Sequence, residues 1–164
     1  MHHQMHSIRN ITGVYAIAET YGLPVIFSTH PRTRKKLDQT GFQLHPLVIS
    51  LPPLGFFDYI KLQQHAKCVI SDSGTISEES AMIKFPAVSF RTSTERPEAV
   101  DSGSIVLSGI EENEVVSAVA TALSTYQPNK LRLPWEYTIE DVSYRVVRII
   151  QSYTKIVNKV NWNK

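Results

Sequence analysis

The strongest constraint on this chain is an alternation. Short apolar runs rich in β-branched residues, LPVIFST (23–29), PLVISL (46–51), KCVIS (67–71), AVSF (87–90) and SIVLS (104–108), are bounded by Pro, Gly or Ser. Runs of that length and makeup read as buried strands. Segments of helical composition follow them: PRTRKKLDQTG (31–41), FFDYIKLQQHA (56–66), TISEESAMIKF (75–85) and IEENEVVSAVATALSTY (110–126). Acidic residues open the last of these, where they suit the positive end of a helix dipole. Strand and helix in this order predict right-handed βαβ units and an α/β fold, a parallel sheet with flanking helices.

The two ends break the rhythm. IRNITGVYAIAETY (8–21) reads as a helix entering the first strand with no strand before it, so the N-terminal side looks cut. MHHQMHS (1–7) resembles an expression tag or a frayed start, which outweighs a metal role for His2, His3 and His6. At the other end Val142, Val146, Ile149, Ile150, Tyr153, Val157 and Val160 make one apolar stripe at helical spacing, after a loop containing Pro128, Pro134 and Trp135. The expected organisation is a ligand-binding domain over 8–138 and an amphipathic helix over 139–164 that covers the sheet or packs on something absent from the chain.

Composition narrows the function. A chain of 164 residues is about one domain, and a formal net charge of +2 favours neither disorder nor broad nucleic-acid binding. Cys68 is the only cysteine, placed in an apolar run, which suits a buried small residue and a reducing cytoplasm. No stretch has the length and apolarity of a membrane span.

The stretch CVISDSGTISEESAMIKFP (68–86) carries the chemistry. Ligands in open α/β sheets bind beyond the carboxyl ends of the strands, and Asp72-Ser73-Gly74 is the turn that follows such an end. Gly74 lets another group approach the backbone closely. Thr75 and Glu78 have the spacing of a capping box, which sets the helix start near Thr75. First-turn amides without partners then offer an anion site, with phosphate the natural guest. Glu79, beside an anion site, serves better by accepting hydrogen bonds from a vicinal diol such as a ribose. A plain capped helix with solvated glutamates explains the same residues.

Two further groups stand at strand ends. FRTSTERPEAVDSG (90–103) supplies Arg91 and Arg96, guanidinium forks suited to phosphate oxygens, with Glu95 or Glu98 to orient them; a polar loop with local ion pairs is the alternative. LPPLGFFDYI (51–60) places aromatics after a turn, either to stack on a flat base or as helix core. His30 and Arg32 follow the first strand, where a capping histidine and a solvated basic face account for them.

Taken together, SDSGTISEE (71–79), FPAVSFRTSTERPEAVDSG (85–103), STHPRT (28–33) and GFFDY (55–59) resemble the non-hydrolysing UDP-N-acetylglucosamine 2-epimerases and relatives acting on other UDP-2-acetamido sugars. The resemblance runs over about residues 14–126, and VSYRVVRIIQSY (142–153) is similar to the group's terminal helix. It implies the Rossmann-like C-terminal domain of a glycosyltransferase-B-like fold. It further implies that Ser73, Gly74 and Thr75 hold the diphosphate, Arg96 the phosphates and Glu79 the ribose. Tyr59, with Phe56 or Phe57, would meet uracil. The implied reaction eliminates UDP to a glycal-like intermediate and re-adds it with C2 inverted, using carboxylate acid/base groups and cationic support for the leaving diphosphate. No cofactor or metal enters.

The catalytic carboxylates are expected in an N-terminal half that this chain lacks, since HHQMHSIRN does not reproduce the loop expected there. The chain alone is therefore expected to bind UDP weakly and not to turn over. Partners expected are a UDP-sugar, the missing domain and, as an option, a second copy in a homodimer. Thr75, where typical 2-epimerases have a second glycine, leans towards relatives making N-acetylfucosamine-type capsule or O-antigen precursors. The alternatives are the nucleotide domain of an inverting glycosyltransferase and a non-catalytic nucleotide-sugar sensor. The paired glutamates of retaining transferases are absent, because Pro86 and Ala87 stand where the second would fall.

Overall fold

A computed structural model describes the backbone of residues 2–162 and the side chains of 12–162. The metal reading of His2, His3 and His6 lies outside the described side chains. The elements run α1 (His2–Tyr21), β1 (Val25–Ser28), α2 (Pro31–Thr40), β2 (Val48–Leu51), α3 (Phe56–His65), β3 (Val69–Ser71) and α4 (Ile76–Ile83). They continue with β4 (Ala87–Ser89), α5 (Pro97–Asp101), β5 (Val106–Leu107), α6 (Glu112–Thr125), a 3-10 turn (Trp135–Thr138) and α7 (Val142–Asn161). Each predicted strand and helix is present. The opening helix starts earlier than expected, at His2, and the stretch read as a loop over 90–103 contains α5. Pro97 at its first position, with Glu98 behind it, is the local signature of that start.

Residues up to Arg132 form one compact unit and those from Leu133 a second. In the second unit α7 carries the expected apolar stripe, and Asp141 Oδ1 accepts from Arg145 Nε at 2.9 Å across its first turn.

The strands are all parallel, in two sheets rather than one: β1 with β2, and β3-β4-β5. The edges of β1 and β3 border a cavity of about 750 Å³, lined also by α1, α3 and α6, and do not pair across it. β4 is buried throughout, as a central parallel strand with both faces covered must be. On one face Val88 and Phe90 pack with Ile17 of α1 and Val115, Ala118 and Val119 of α6. On the other Ala87 packs with Ile76, Phe85, Ala99 and Ile105. Loss of a side chain such as Phe85, 2 % exposed, would cost about 3–5 kcal/mol.

Register positions the site. Ser71 lies opposite Ser89, and Ser89 opposite Leu107. Phe90 N donates to Ser71 O at 2.9 Å, and Gly109 N to Arg91 O at 3.0 Å. The loops leaving β3 and β4 therefore emerge side by side.

Candidate functional site

The turn after β3 is tied by its own side chains. Ser73 N donates to Ser71 Oγ at 3.1 Å, Thr75 N to Ser73 Oγ at 3.4 Å, and the Ser73 and Thr75 hydroxyls share a 2.9 Å bond. Ile76 N reaches Ser73 O at 3.4 Å and Ser77 N reaches Gly74 O at 3.2 Å. These amides are thus engaged, contrary to the expectation of partnerless donors, though several bonds lie at the long end of the useful range. The predicted capping box also does not form. Thr75 already has helical backbone angles (φ −65°, ψ −17°) and makes no side-chain cap bond, where a capping residue needs an extended backbone.

Glu78 has a different partner. Its Oε1 accepts from Arg96 Nε at 2.5 Å, an ion pair between the first turn of α4 and the residue that opens α5. Its second oxygen, Oε2, is buried without a partner. The Arg96 side chain lies over Gly74: a β-carbon built there would stand 3.1 Å from Nη1. Arg91 braces the same turn, with Nε donating to Asp72 O at 2.6 Å and Nη1 to Glu95 Oε2 at 2.9 Å. Glu95 Oε2 also stands 4.0 Å from Arg96 Nη1.

Glu79, one residue on, turns to the other flank of α4. Its Oε2 accepts from Gln63 Nε2 of α3 at 2.6 Å. Tyr59, one turn before Gln63, is half-buried beside them. Burial first, and the Glu79 carboxylate next, raise its phenol above the usual value, while hydrogen bonding from Gln63 and Ser71 acts in the opposite sense. Tyr59 is consequently a neutral phenol at physiological pH, able to donate. Tyr59, Gln63, Ser71 and Asp72 all line the cavity between β1 and β3.

One continuous set of contacts thus brings together Ser73, Gly74, Thr75, Glu79, Arg96 and Tyr59. Phe56 and Phe57 are outside it: they are 71 % and 85 % exposed and meet only edge to face, with centroids 5.6 Å apart. They are neither helix core nor cavity lining. His30 caps α2, its Nδ1 accepting from Arg32 N at 3.2 Å, and Arg32 is exposed. Gln63 and the Glu78–Arg96 pair were not legible as site features. Chemically, the arrangement sets a guanidinium and a hydroxyl-rich turn at one end and a carboxylate beside a phenol at the other. That combination suits an anion joined to a hydroxyl-bearing group. Among the described residues, no cluster of His, Cys, Asp and Glu is arranged to hold a metal ion.

The family described as UDP-N-acetylglucosamine 2-epimerase matches residues 2–151. A UDP-N-acetylglucosamine 2-epimerase of Methanocaldococcus jannaschii is 34 % identical over 122 residues, which are 71 % of this chain and 33 % of that protein. The structure of a UDP-N-acetylglucosamine 2-epimerase from Rickettsia bellii superposes with a TM-score of 0.69 at 34 % identity, covering 95 % of this chain and 44 % of that one. The M. jannaschii UDP-GlcNAc 2-epimerase, solved in complex with UDP-GlcNAc and UDP, superposes at 0.74 with 28 % identity, covering 91 % of this chain and 41 % of that one. The chain therefore spans about a third of the length of the curated relative it matches.

Proposed function

From its membership of the UDP-N-acetylglucosamine 2-epimerase family, we propose that this chain grips the UDP of a UDP-2-acetamido sugar whose C2 the whole protein epimerises. The fold is the Rossmann-like α/β arrangement of a glycosyltransferase-B-like architecture. The observation that carries the reading is the juxtaposition at the ends of β3 and β4: Arg96 packed over Gly74 on one flank of α4, and Glu79 held on the other.

In this reading Ser73, Gly74 and Thr75 receive the diphosphate. The hydroxyls of Ser73 and Thr75 and the weakly bonded amides exchange their internal partners for phosphate oxygens. Arg96 keeps Nε on Glu78 and offers its Nη groups to the phosphate, a division of labour that the planar fork allows. Glu79 accepts from the ribose hydroxyls, and Tyr59 lies at the uracil end. The reaction removes the C2 proton and breaks the bond from C1 to the diphosphate oxygen. UDP then re-adds at C1 as a proton returns to the opposite face of C2. Arg96 and the β3–α4 turn stabilise the charge that gathers on the departing diphosphate. The proton-transferring groups belong to the remainder of the whole protein. The proposed setting is the cytoplasm and the proposed product class a precursor of capsule or other surface polysaccharide. The lone cysteine fits that compartment.

Calorimetric titration of UDP into the 164-residue chain tests the grip. Binding is expected, weakened about tenfold or more by Glu79→Ala and by Arg96→Ala, since a hydrogen bond to a charged group is worth about 1.5–3 kcal/mol. Unchanged affinity in both variants would move the ligand elsewhere. Robust turnover of UDP-N-acetylglucosamine by this chain alone would refute the assignment of proton transfer to the rest of the protein.

A further inference from the structure

Gln63 is 2 % exposed, although its neighbours Gln64 and His65 on α3 face solvent. Its Nε2 donates to Glu79 Oε2 at 2.6 Å, and its own Oε1 is buried with no partner. Burying a primary amide with an unsatisfied carbonyl is unfavourable, and a methionine would fill the same volume without that cost. What the amide supplies in return is direction: a donor fixed by packing, set against one oxygen of a carboxylate. The orientation of the amide is determined as well, because the flipped form would oppose two acceptors.

We infer that Gln63 is the positioning residue for the nucleoside end of the site: by holding Glu79 Oε2 it leaves Oε1 as the acceptor for a ribose hydroxyl. The inference rests on the proposed UDP grip and adds to it a residue that acts through Glu79. A carboxylate free to rotate would lose entropy on meeting the hydroxyls, and one already held does not.

The test titrates UDP and 2′-deoxy-UDP into the 164-residue chain and into Glu79→Gln, Gln63→Met and Gln63→Glu. The unmodified chain is expected to prefer UDP by about tenfold. Glu79→Gln and Gln63→Met are each expected to bring the ratio within about twofold. Gln63→Met removes the unsatisfied carbonyl but also takes the donor from Glu79, so its melting temperature serves only to show that it folds. Gln63→Glu is expected to lose the preference at about pH 8 and regain it near about pH 5.5, where a close carboxyl pair shares a proton that one donates to the other. The ratio of the two ligands cancels the titration of their phosphates. A purely structural role would move the melting temperature and leave the ratio alone. An unchanged ratio in Gln63→Met overturns the inference, as does one in Gln63→Glu at the higher pH should Gln63→Met not fold. Loss of the ratio in Glu79→Gln would then leave the UDP grip standing. Failure of the unmodified chain to bind UDP overturns both.

Discussion

Arg96 lies against Gly74 so closely that a β-carbon on the glycine would stand 3.1 Å from Nη1 and 3.3 Å from Cζ. The contact joins the turn after β3 to the loop after β4, and a β-carbon at that position would push the guanidinium a few tenths of an ångström from where Glu78 holds it. Gly74 is not among the glycines with positive φ, so what keeps it a glycine is space rather than backbone angle.

Gly74→Ala is therefore expected to displace the arginine while sparing the fold. UDP affinity should fall about tenfold, the scale of a lost charge-assisted bond. The melting temperature should change little, because alanine adopts this backbone without strain. Paired calorimetry and thermal melts check both parts.

Arg96→Lys should recover little of what Arg96→Ala loses. An ammonium has no separate edges with which to serve Glu78 and a phosphate at once. Titration of UDP into both variants is the measurement, and near-native binding by Arg96→Lys would show that charge alone suffices.

Burial pushes the Cys68 thiol up to about 12. It is expected to resist Ellman's reagent at about pH 8 and to react at once in denaturant. The folded state favours the protonated thiol, so this contribution to stability is fully present below the unfolded value of about 9.0 and is lost as pH rises towards about 12. Urea unfolding across that interval, with Cys68→Ala as the reference, isolates it.

Lys84 ends α4 in the left-handed region at φ 62°, its N–H bonded to Ser80 O. Lys84→Gly should relieve the β-carbon strain and stabilise the chain by about 0.5–1 kcal/mol after the extra freedom of the unfolded glycine is counted. Its backbone carbonyl, which accepts from the Tyr126 hydroxyl, is untouched. A shifted urea midpoint at constant slope reads the effect.

The strands and helices were legible because buried parallel strands are written as continuous apolar runs, and VISDSG marks a strand end whatever surrounds it. The partners of Glu78 and Glu79 were not. Local spacing offers Glu78 a capping role with Thr75, and only the register of β3 against β4 brings Arg96, 18 residues on, to claim it. Gln63 and Gln64 are indistinguishable in sequence; which one turns inward is decided by how α3 lies against α4. The gap between β1 and β3 is likewise a matter of packing, since each strand alone reads as any other.

The two brackets across the turn, Arg91 on the Asp72 carbonyl and Arg96 on Glu78, have a consequence for variation. Residues 72–79 and 91–96 are therefore expected to vary together. A substitution in one segment changes what is tolerated in the other, so single-site scans will understate how much either can vary. A chimera that transplants one segment from a homologue will fail where a double graft succeeds.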